Sequence, residues 1–201
     1  MTKLQNILQL LCAYGRAEIL NDFTPNCCIE SARIADMVLT HFRIPSRPLP
    51  TTAGVFNKAL ADWIAAGGDL PTLTAEKMDE FGGWVVKIGD TGEKIEGGWD
   101  GHLATLVEER VLLDLSIDQA NRPAKGIEVT PLAAPVPPEF VRGEEAVTLS
   151  HKKSGCLIRY HTLHRIEYGE TPAWRRLSDK RVVADRIIWR MERALDRMLK
   201  S

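Results

Sequence analysis

The sequence predicts an α+β domain: helical periodicity fills the first third, and short strands follow from Gly83 onward. Two observations carry this. Apolar residues recur at helical spacing through KLQNILQLLCAYGRAEIL and again through CIESARIADMVLTHF. After residue 82 the period changes, and short runs rich in Val, Ile and Leu are separated by Gly-rich and Pro-rich stretches.

The elements follow in order. A first helix covers residues 3–20, and Asn21–Asn26, with Pro25, is a loop. A second helix covers 28–42, with Ile29, Ala32, Ile34, Ala35, Val38, Leu39 and Phe42 leaving only a narrow polar stripe. Such a helix is largely buried. Pro45, Pro48 and Pro50 end it. A third helix is expected over 52–66, stopped by Gly67-Gly68, and a short fourth over 74–81. GWVVKIG, HLATLVE and RVLLDLSID read as strands, with the Gly-rich DTGEKIEGGWDG between the first and second. Residues 123–143 carry five prolines and read as an irregular crossing segment. EAVTLSH and GCLIRYHTL form a hairpin around KKSG, and a helix over 178–199 closes the chain.

Length and composition narrow the function. A chain of 201 residues suits one domain, or one with a small appendage. The expected division is a domain over 1–173 and a terminal helix over 174–201. A formal net charge of −1 gives no global attraction to nucleic acid or membrane. No apolar run reaches the roughly 18 residues that a spanning helix needs. The N-terminus reads as an amphipathic helix, not a signal peptide. Four cysteines without a CxxC pair suggest neither a disulfide framework nor a zinc site. His161 and His164, three apart on a strand, point to opposite faces and share no metal. No cofactor and no metal is expected, and the reading is a cytoplasmic protein with reduced thiols.

The terminal helix has an apolar stripe through Ala184, Ile187, Ile188, Met191, Leu195 and Met198. Its arginines (Arg186, Arg190, Arg193, Arg197) alternate with Asp185, Glu192 and Asp196. That mixture is a solvated face rather than a nucleic-acid surface. The stripe packs on the domain or on a partner, either another protein or a second copy.

The chemistry gathers at NCCIES. A cysteine acts as nucleophile through its thiolate, and the first turn of a helix favours that form. Cys28 stands where the second helix begins. The unpaired amides there also offer an oxyanion site. Such a thiol needs a base, and His41, His102, His151, His161 and His164 are the choices. His102 opens a strand after a Gly-rich turn. Twelve residues on, Asp114 interrupts an otherwise apolar strand, where a carboxylate needs a partner. With a three-residue loop at Glu108–Arg110, Val107 faces Val111 and His102 shares a face with Asp114. A one-residue slip separates them.

A cysteine on a helix, followed by His and Asp on successive strands, resembles the transglutaminase-like branch of the papain-like superfamily. The match rests on Cys28, Ala32 four residues on, and Arg43-Ile44-Pro45-Ser46-Arg47 beginning fifteen on. Gly101-His102 and Leu113-Asp114-Leu115 are similar to the family's His and Asp motifs. Arg43 stands where the family has Gly, Ala104 where an aromatic often follows the His, and Leu115 where Pro often follows the Asp. The resemblance covers roughly residues 23–120.

It implies a papain/transglutaminase-like core and a Cys28–His102–Asp114 triad acting on a peptide, amide or acyl substrate through a thioester. The Cys28 amide is the expected oxyanion donor, with Asn26 or a neighbour as the second. Cys27 is a structural neighbour of the nucleophile. Trp99 and Trp84 flank the Gly-rich stretch and are the candidates to line the cleft. Two alternatives stand beside this reading. One is an inactive interaction module. The other is acyl transfer similar to the arylamine N-acetyltransferases, whose Arg-Gly-Gly lead-in to the cysteine is absent here.

Overall fold

The computed structural model describes residues 2–90, 99–164 and 166–199. Most of the Gly-rich stretch, residues 91–98, lies outside them.

Helix α1 (Lys3–Leu20) starts at a capping box, in which Thr2 Oγ1 accepts from the Gln5 amide and Gln5 Oε1 accepts from the Thr2 amide. Helix α2 (Cys28–His41) buries Ile29, Ala32, Ile34, Ala35, Val38 and Leu39. It ends in a Schellman turn: the Ile44 amide donates to Leu39 O and the Arg43 amide to Thr40 O. Arg43 is left-handed there, with φ 59°. This is the position where the resemblance expects Gly.

The next element corrects the sequence reading. Residues 46–56 form the long central strand β1 (Ser46–Phe56), and helix α3 is short (Lys58–Ala65). The prolines had suggested a stop and the Ala-rich run a helix from residue 52. Asn57 is the true cap, its Oδ1 accepting from the Leu60 amide. Pro48 and Pro50 are tolerated because of where their missing N–H groups point. Pro50 O accepts from the Leu163 amide, so Pro50, and Pro48 two residues before it, face the edge away from the neighbouring strand β3.

Helix α4 (Ala75–Phe81) and strands β2 (Val85–Ile88), β3 (His102–Val107) and β4 (Val111–Asp114) follow. The Pro-rich segment is less irregular than expected: it contributes strand β5 (Leu132–Pro135) and the helical turn α5 (Pro138–Val141). Its prolines are accommodated because β5 lies at the sheet edge and pairs only with β4 among the described strands. Strands β6 (Val147–His151) and β7 (Cys156–Thr162) form the hairpin around KKSG. The turn α6 (Pro172–Arg175) leads into α7 (Ser178–Leu199).

The sheet runs β5-β4-β3-β1-β7-β6, with β2 also on β1, and every pairing is antiparallel. β1 binds β3 along residues 46–51, then β2 along 53–56 on one side and β7 along 51–56 on the other. The molecule is thus α+β, with helices packed on an antiparallel sheet.

Side chains alternate between two cores. Val107 and Leu113 join α1, α2 and α7 in one. Leu49, Ala53, Ala104, Leu106, Leu112, Ile158 and Tyr160 form the other, with Phe140. Helix α7 belongs to the first core through Val183, Ala184, Ile187 and Met191. Arg186 and Arg190 pair with Glu18 on α1, and Arg186 also with Asp22. The stripe and half of the arginine face are therefore used within the chain. No helix among the described residues is long and apolar enough to cross a membrane.

Candidate active site

The geometry is set by the β3–β4 hairpin. Val107 lies opposite Val111 and Thr105 opposite Leu113, with Glu108–Arg110 between. Glu108 and Glu109 both have positive φ (49° and 54°), as the tight turn demands, and the Arg110 amide donates to Val107 O. Arg47 fixes this tip, its guanidinium donating to both Glu109 carboxylate oxygens at 2.7 and 2.9 Å. In this register His102 and Asp114 share the face of the second core.

His102 Nε2 lies 2.6 Å from Asp114 Oδ2, and both side chains are fully buried. The same oxygen accepts from the Tyr160 hydroxyl of β7 at 2.9 Å. The other oxygen accepts from the Ser116 amide at 2.9 Å and its hydroxyl at 3.3 Å. Four donors thus satisfy a carboxylate that burial would otherwise neutralise. Burial alone would push the Asp114 carboxyl up; the His102 charge, the Ser116 amide and the Tyr160 hydroxyl outweigh it and hold it below the ordinary range. Burial alone would likewise push His102 down. Asp114, and after it Cys28, outweigh that and push the imidazole up to about 10.

Cys28 is the first residue of α2 and is half-buried. Its helix packs on the face bearing Leu103 and Val107, opposite the one that carries His102. The two meet because His102 is the first residue of β3. There the sheet ends and the ring reaches the start of α2, within interaction range of the thiol. A close approach helps to place it. A Cβ on Gly89 (φ 76°) would lie 2.7 Å from the His102 amide, so only glycine lets the chain pass the Gly101–His102 peptide. Nε2 is committed to Asp114, and Nδ1 is met by Gln119 Nε2 at 2.9 Å.

Cys27 caps α2 and is buried. Arg16 Nη1 lies 3.1 Å from its sulfur, and Ser31 Oγ 3.6 Å away. Burial raises the Cys27 thiol despite both neighbours, and burial followed by Asp114 pushes Cys12 up to about 12. Neither is a ready thiolate. Asn26 is exposed in the loop before the helix. Trp99 packs beside Cys28 with Ile29, Leu103 and Trp174, its ring edge-on to Tyr168 at 5.7 Å. Trp84 is elsewhere: it adjoins β2 where Val85 faces Phe56, five residues along β1 from Thr51 and His102, and carries Lys125 over its ring. It lost its place at the cleft because β2 joins the far half of β1.

The other histidines lie apart from this cluster. His41 pairs with Glu192, and His151 with Thr130 and Ser154. His161 is exposed beside Arg159 and Lys87, which keep it low after burial. His164 lines a groove of about 450 Å³ with Arg47, Pro48, Pro50, Ile166 and Tyr168. The groove follows the proline edge of β1. It does not contain Cys28, but Tyr168 connects it to Trp99 at the thiol.

Sequence reasoning missed Tyr160, Ser116 and Gln119. Tyr160 comes from a hairpin about 45 residues beyond Asp114, and only the β1–β7 pairing brings it there. Gln119 Nε2 lies 2.9 Å from His102 Nδ1. No local signal marks Tyr160 or Gln119, whereas Ser116, two residues after Asp114, stands at the Asx-turn position of that carboxylate. No family model matches the chain, and no curated protein or solved structure matches it either.

Proposed function

We propose that the protein is a cysteine hydrolase or acyltransferase of the transglutaminase-like type, acting on a peptide, amide or acyl carbonyl. The observation that carries this is the buried 2.6 Å His102–Asp114 bond with the Cys28 thiol within interaction range of the ring. A neutral structural histidine would not need an ionised carboxylate held by four donors.

The chemistry follows from the positions. His102 holds the proton that the Cys28 thiol gives up, and Asp114 stabilises that imidazolium. The thiolate forms a C–S bond to the carbonyl carbon, and the oxyanion meets the unpaired amides at the start of α2. When the C–N bond breaks, the leaving amine takes the proton back from His102. Water or an acceptor amine then attacks the thioester while His102 removes its proton, and the C–S bond breaks to restore the thiolate. The groove beside Tyr168 suits an extended, partly apolar substrate segment.

The test is alkylation by iodoacetamide against pH, with the sites mapped by mass spectrometry. Cys28 should be alkylated near pH 7 much faster than free cysteine, while Cys12, Cys27 and Cys156 react slowly. An acyl-enzyme trapped at Cys28 would complete the case. If Cys28 reacts no faster than free cysteine near neutral pH, the catalytic reading falls and the interaction module takes its place.

A further inference from the structure

The turn after β4, Ile117–Ala120, with its cap Ser116 reaches Asp114, Arg16 and His102. Ser116, its cap, binds Asp114 Oδ1. Asp118 holds the buried Arg16, whose other nitrogens reach Cys27 Sγ and Pro25 O in the segment leading to Cys28. Gln119 places its carboxamide 2.9 Å from His102 Nδ1, the ring nitrogen not held by Asp114. Its backbone is held on both sides: the Gln119 amide donates to Ser116 O, and Arg122 donates to Gln119 O.

We propose that Gln119 is a positioning residue for the His102 imidazole, holding Nδ1 while Asp114 holds Nε2. This rests on the triad reading above. A carboxamide suits the place because it can satisfy both charge states of the ring. Toward a neutral imidazole its NH2 donates to Nδ1. Once Nδ1 carries the proton, the amide turns over and Oε1 accepts from it. A carboxylate could do only the second, and an apolar side chain neither. Gln119 thereby keeps the ring from swinging away from Cys28 in either state, while Asp114 holds the opposite nitrogen. The titratable groups about the pair are Cys28 from α2, Asp114 from β4, Tyr160 from β7 through Asp114, and Cys12 from α1 facing Asp114. Asp118 is engaged by Arg16.

The experiment compares the wild type with Gln119→Leu and Gln119→Glu. It reads the pH profile of Cys28 alkylation, the 15N shift of His102 Nδ1, and the melting temperature. Loss of the tether should slow Cys28 alkylation at pH 7 by roughly tenfold or more in Gln119→Leu, with little change in melting. The Nδ1 shift should move toward that of an unbonded nitrogen. In Gln119→Glu the added charge disfavours the thiolate, so the alkylation inflection should rise by about one pH unit. If Gln119→Leu unfolds, the isosteric Gln119→Glu still decides. Wild-type profiles and an unmoved Nδ1 shift in the folded variants would overturn this inference and leave the triad standing. An ordinary thiol profile at Cys28 in the wild type would instead overturn the triad, and this inference with it.

Discussion

Replacing Asp114 by Asn tests the chemical logic of the site most directly. The substitution keeps the shape and changes one acceptor oxygen into a donor. Ser116 offers two donors to Oδ1, so the amide oxygen should stay there and the new NH2 should face His102 Nε2 and the Tyr160 hydroxyl. Donor would then meet donor. The imidazole must move its proton to Nδ1, and no ring nitrogen then remains free to accept one from Cys28. With the carboxylate gone, burial prevails and His102 should titrate below its ordinary 6.5 instead of at about 10. The expected loss of stability is about 3–5 kcal/mol, the usual cost of removing one partner of a buried pair.

The pH dependence carries a sign. The His102 pKa is raised on folding, so its contribution is whole below about 6.5 and is lost as pH rises through about 10. The Asp114 pKa is lowered, so its contribution is present above the ordinary 3.8 and lost only as pH falls through the depressed value. The stability gap between wild type and Asp114→Asn should therefore be widest near pH 5–6 and close toward about pH 10. Denaturant unfolding at a series of pH values measures it. Cys28 alkylation at pH 7 should fall by roughly a hundredfold. A variant with the wild-type alkylation profile and a pH-independent gap would refute the assignment of Asp114 as the group that sets the base.

Two further outcomes are expected. Arg16→Met removes the clamp between Asp118, Cys27 and Pro25. It should cost roughly 2–4 kcal/mol, seen as a fall in melting temperature of about 5–15 °C; a fall under about 2 °C would show the clamp to be idle. Arg43→Gly relieves a left-handed non-glycine residue at the end of α2 and should stabilise by about 1 kcal/mol, raising the melting temperature by about 2–4 °C.

The sequence by itself determined α1, α2 and α7, because each carries an uninterrupted apolar stripe at helical spacing. It left the β3–β4 register open between odd and even loops. Asp114 in an apolar strand needed a partner, an odd-length loop puts His102 on its face, and the structure has the three-residue one, with Val107 opposite Val111. The spacing to Ala32 and Arg43–Arg47 marked Cys28 over Cys27 through the resemblance, and only the tertiary structure placed Arg16 against the Cys27 sulfur. β1 escaped because prolines and an Ala-rich run outweigh Thr51, Thr52, Val55 and Phe56 in local propensity. What overrode them is tertiary: β3, β2 and β7 all pair with this segment, and the prolines face the edge that needs no donor. Two further site residues were undecidable locally for the same reason. Tyr160 and Gln119 reach the His–Asp pair only after β7 has joined β1 and the turn after β4 has folded back, and a hydrogen bond between distant segments leaves no periodic trace in either.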